Sequence, residues 1–85
     1  MQSNAIPTWF NGTIYTEGAW VENPFSKEEY ELSAIELSIY DFIIGTEHVM
    51  ETAPKAITTN QFTNFNKALG WFRDNNAEAY MALLD

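Results

Sequence analysis

The sequence predicts an α+β fold, with a short N-terminal antiparallel β-hairpin or meander of two to three strands followed by two to three helices. Three observations carry this. Period-two alternation and turn-forming dipeptides are confined to the chain before Ser33. From Ile35 to Met50 the apolar residues recur instead at helical spacing. They do so again from Phe62 to Phe72. Strands that all precede the helices do not fit the alternating order of a parallel α/β sheet.

Residues 1–8 read as a loose start, with Pro7 fixing an extended approach. Trp9-Phe10 and Thr13-Ile14-Tyr15 are short strand-forming runs around Asn11-Gly12, a dipeptide that accepts the positive φ of a type I′ hairpin turn. Glu17-Gly18 marks another turn. Ala19-Trp20-Val21-Glu22 reads as a strand that stops at Asn23-Pro24, because proline has no N–H for a ladder. Glu29-Tyr30-Glu31-Leu32 alternates polar and apolar, as a half-buried strand should. Ser26 with Glu29 also spells a capping box, so a short helix competes with that strand. The β region is thus expected over residues 9–32.

The helical region is expected over residues 34–84. Ser33 and Glu36 form a capping box for a helix running to about Thr52, ahead of Pro54. Ile35, Ile39, Phe42, Ile43, Thr46, Val49 and Met50 fall in a stripe about 120° wide, the expected core face. Leu37, Tyr40 and Ile44 lie on the opposite face, edged by Asp41, Glu47, His48 and Glu51. Gly45, in mid-helix, costs up to about 1 kcal/mol relative to alanine and leaves room for close approach of another element. A second helix begins near Thr59-Asn60 and buries Phe62, Phe65, Ala68, Leu69 and Phe72. Asn75-Asn76 interrupts it, and Ala77–Leu84 forms a last helix with Tyr80, Leu83 and Leu84 on one side.

Composition narrows the function. The 85 residues form a single small domain, with 12 acids against 4 bases and a net charge of −8. Nine of the acids fall between residues 17 and 51, against Lys27 alone. A hydrophobic content of 46% excludes an acidic disordered tail. The absence of cysteine excludes disulfide frameworks, zinc fingers and iron–sulfur ligation. Repulsion argues against nucleic acid and anionic membranes as partners. No apolar run is long enough to span a bilayer and the N-terminus lacks a signal-like pattern, so a cytoplasmic location is expected. A domain this short buries a thin core, and a second copy in a homodimer would add to it.

Chemistry-bearing motifs are sparse. Glu47-His48 lacks the second histidine of H-E-x-x-H, and no serine sits in a G-x-S-x-G elbow. Glu28-Glu29-Tyr30-Glu31 is too linear, and lacks the glycine, for a calcium loop. The four glycines are scattered and form no phosphate-binding loop, so no cofactor is expected. Asn23-Pro24-Phe25 matches a known peptide-recognition tripeptide. The Leu37, Tyr40, Ile44 patch, rimmed by acids, reads either as packing beneath the strands or as a protein-binding surface.

The run Asn23-Pro24-Phe25-Ser26, the stretch Glu29-Tyr30-Glu31-Leu32-Ser33-Ala34 leading into Glu36–Ile43, and the ending Trp71–Asn76 with Ala79–Asp85 resemble small uncharacterised proteins of tailed phages infecting marine cyanobacteria. The resemblance covers most of residues 20–85 and carries no catalytic signature. It implies action in an infected bacterial cytoplasm. The expected function is therefore a non-enzymatic protein–protein interaction module, a phage accessory protein binding a host or phage protein. Its interaction candidates are Trp20, Leu37, Tyr40, Ile44, Glu47 and Glu51. The alternatives are an acidic DNA mimic that blocks a DNA-binding protein, and a minor structural component of the virion.

Overall fold

Ser33 begins the main helix as its spacing to Glu36 requires. In the computed structural model, which describes residues 6–84, the Ser33 Oγ accepts the Glu36 N–H at 3.2 Å. The Glu36 carboxylate returns to the Ser33 N–H at 2.9 Å. Helix α1 then spans Ala34–Thr52. After a 3₁₀ turn at Pro54–Ala56 the same device recurs at Thr58 and Gln61, opening α2 at Thr59–Asn75. Asn76 ends α2, and its side-chain oxygen accepts the Ala79 N–H, so one residue separates α2 from α3, Ala77–Leu83.

Strands β1, Ala19–Glu22, and β2, Glu29–Leu32, pair antiparallel with Ala19 opposite Leu32 and Glu22 opposite Glu29. The strand reading of 29–32 therefore holds over the competing helix. This register turns Val21, Tyr30 and Leu32 toward the core, and Leu32 is buried. It puts Trp20, Glu22, Glu29 and Glu31 on the other face, all four exposed. At Gly18, just before β1, a Cβ would be driven into the Leu32 carbonyl oxygen. Only glycine allows that approach.

The two long helices run antiparallel. The start of α1 meets the end of α2 where Asn76 donates to the Glu36 carboxylate, and the end of α1 faces the start of α2 around Met50 and Phe62. The core between them holds Ile39 and Ile43 of α1, with Phe65, Ala68 and Phe72 of α2. Leu32, Ala79 and Leu83 close it from β2 and α3. Among the described residues its one deeply buried hydroxyl, Ser38, donates to the Ala34 carbonyl and accepts the Tyr15 N–H at 2.9 Å. Among the described residues no buried side-chain nitrogen or oxygen lacks a partner.

Four details differ from the sequence reading. No strand forms over residues 9–15. No glycine has positive φ, so Asn11-Gly12 makes no type I′ turn. Instead Phe10 packs edge-on against Phe42 with ring centroids 5.6 Å apart, and Trp9 packs on Phe10. Flanking runs of two and three residues make too few ladder bonds to compete with that aromatic contact. Phe62 is 51% exposed rather than core, because it lies one turn ahead of Phe65, where the 3₁₀ turn leads the chain away. Gly45 faces open space, so no element approaches it. The stripe of α1 that is buried deepest is also displaced, taking in Glu36 and Ser38 beside Ile39 and Ile43. The first part of the loose start, residues 1–5, lies outside the described residues.

Candidate interaction site

The turn between β1 and β2, residues 23–28, is built around Asn23. Its side-chain Oδ1 accepts the N–H groups of Phe25 at 2.8 Å and Ser26 at 3.3 Å. Its backbone N–H donates to the Glu28 carbonyl at 2.8 Å, and its own carbonyl accepts the Lys27 N–H at 2.9 Å. Its Nδ2 donates to the Ala82 carbonyl at 3.0 Å, tying the turn to α3 across 59 positions of sequence. Asparagine supplies the two Oδ1 bonds because its short amide reaches backbone groups two and three residues on. Lys27 adopts φ 66°, a left-handed conformation costing a non-glycine residue on the order of 1 kcal/mol. The network of Asn23 bonds overdetermines the turn and holds that strain.

This fixed turn leaves Phe25 94% exposed. Behind it a cleft of about 270 Å³ opens, with Asn23, Pro24 and Phe25 on one wall and Tyr40, Ile44 and Glu47 of α1 on the other. Leu83 and Leu84 complete it. A second depression of about 260 Å³ adjoins it, sharing Phe25, Ile44 and Glu47 and reaching His48 and Glu51. The two form one apolar trough whose charged lining residues, Glu47 and Glu51, are acidic. Burial raises the Tyr40 phenol above its ordinary pKa, and the Glu47 carboxylate adds to the effect. Tyr40 therefore stays a neutral hydroxyl beside the trough. Tyr30 is likewise raised, first by donating its hydroxyl to Glu78 at 3.0 Å, a bond that ties β2 to α3.

The structure thus brings Tyr40, Ile44, Glu47 and Glu51 together. Ile44 is 41% exposed, whereas Tyr40 is partly buried with its ring 6.4 Å from that of Phe72. Leu37, on the same helix face by sequence, is partly buried against the core. Trp20 stands apart. It is 66% exposed on the outer face of the ribbon, beside Glu29, Tyr30 and Glu31 in a different depression. Phe25, Pro24, Leu83 and Leu84 were not among the candidates read from sequence. The available signal was Asn23-Pro24 itself, a turn former that sets the following phenylalanine on a loop tip.

Among the described residues no group of three His, Asp or Glu side chains is placed to hold a metal ion. No helix of the described residues is long and apolar enough to cross a membrane. No protein-family model matches the chain, and comparison with curated proteins and with solved structures finds no match.

Proposed function

We propose that this protein is a non-enzymatic interaction module that docks a protein partner on the trough between the β1–β2 turn, α1 and α3. The observation that supports this reading is Phe25, 94% exposed on a turn held by five hydrogen bonds of Asn23. A large apolar side chain left in water on a fixed backbone has its ordering cost already met before binding, which raises affinity. Aromatic anchors of this kind dominate binding hot spots. Ile44 and the Leu83–Leu84 end of α3 extend the apolar contact, while Glu47 and Glu51 form the rim. The net charge of −8 steers the protein toward a basic surface and away from nucleic acid and anionic membranes. The resemblance to small proteins of cyanobacterial tailed phages implies that the partner is a host or phage protein met in the cytoplasm of an infected cell.

The test compares proteins captured from a bacterial lysate by the parent and by Phe25→Ala, Ile44→Asp and Trp20→Ala variants. Phe25→Ala and Ile44→Asp should keep the parent's circular dichroism and weaken association by about 1–3 kcal/mol. Trp20→Ala should retain the captured partner. Equal capture by all four proteins would contradict the reading, as would loss only with Trp20→Ala.

A further inference from the structure

We infer that the occupant of the trough is a basic segment of a different protein, inserting apolar anchors flanked by Lys or Arg, and not a second copy of this chain. The inference rests on the interaction reading above and supplies the partner's chemistry. The shape of the trough argues first. Its two depressions, of about 270 and 260 Å³, share Phe25, Ile44 and Glu47, so a single extended or helical segment can fill both. Their adjacency across Ile44 and Phe25 matches two apolar anchors presented by one segment, as in helix-in-groove recognition.

Charge then separates the occupants. Glu47 lines both depressions and Glu51 the second, and neither depression is lined by a lysine or arginine. Lys27 belongs to the same turn yet lines neither. A two-fold dimer would use the same patch on both subunits, so it would bring two acidic rims into one interface. Each copy would also bring a net charge of −8. Like charge juxtaposed at an interface opposes association, whereas a basic segment neutralises the rim and is steered to it.

The experiment follows backbone amide shifts of the ¹⁵N-labelled full chain. It is titrated separately with a leucine–lysine helical peptide and with a leucine–glutamate peptide of the same apolar pattern, and it is also diluted alone. The leucine–lysine peptide should move the amides of Phe25, Tyr40, Ile44, Glu47 and Leu83. Phe25→Ala should weaken that binding about tenfold or more, and paired Glu47→Gln and Glu51→Gln substitutions should weaken it several-fold and flatten its salt dependence. Equal binding of the leucine–glutamate peptide at these residues would overturn the basic occupant while leaving the interaction reading intact. Dilution shifts at the same residues would do so too, by showing a second copy in the trough. Leucine–lysine shifts centred on Trp20 and unaffected by Phe25→Ala would show unspecific charge attraction and overturn the inference. If no peptide and no dilution moves these amides, the interaction reading falls with it.

Discussion

Replacing Phe72 with alanine should remove about 3–5 kcal/mol of folding stability, the range for emptying a buried aromatic site. Phe72 is fully buried between the two long helices, with the rings of Tyr40 and Trp71 each 6.4 Å from its own. Small domains hold only about 5–15 kcal/mol in total, so a large share of the margin is lost. Phe65, at 8% exposure, should behave similarly, while the partly buried Phe42 should lose less. Urea unfolding followed by circular dichroism checks this. A loss under about 1 kcal/mol for Phe72→Ala would mean the α1–α2 core is assembled differently.

Asn76→Ala should be the next most damaging change, at about 2–4 kcal/mol. Its oxygen caps α3 through the Ala79 N–H, a role worth about 0.5–2 kcal/mol. Its amide nitrogen donates at 2.9 Å to Glu36, a carboxylate with only 4% of its surface exposed. Hydrogen bonds to charged groups contribute about 1.5–3 kcal/mol, and Glu36 in turn locks the start of α1. Asn76→Asp separates the two roles. It keeps a capping oxygen but sets a second carboxylate beside Glu36, so it should remain destabilised at neutral pH. Thermal melts of both variants decide this, and a parent-like Asn76→Asp would show that capping alone matters.

The helices were legible because their signals are local. Both ends of a capping box lie within four residues, and Ser33–Glu36 fixes the start of α1. Asn23-Pro24 ended β1 for an equally local reason. The strands expected around Asn11-Gly12 do not form because that dipeptide permits a turn without requiring one, and the Phe10–Phe42 contact that prevails lies 32 positions apart in sequence. Phe62 satisfied the helical period of α2, yet periodicity carries no information on where a neighbouring helix ends. The same limit governed the candidate site. Tyr40, Ile44, Glu47 and Glu51 share a helix face that spacing reveals, and they do meet in the trough. Leu37 and Trp20 do not join them, because Leu37 packs against the core and the strand register turns Trp20 outward. Phe25 is visible in the sequence only as part of the Asn23-Pro24-Phe25 tripeptide, because its placement beside α1 depends on the long-range bond from Asn23 to Ala82.

The central claim is that the β1–β2 turn is held rigid while it presents Phe25 to solvent. Backbone ¹⁵N relaxation of the free protein tests it most directly at the amides of Phe25, Ser26, Lys27 and Glu28. Order parameters of about 0.85, equal to those of the two helices, are the expected result. Values below about 0.6, with the flanking strands still rigid, would show a mobile loop and contradict the preorganised anchor.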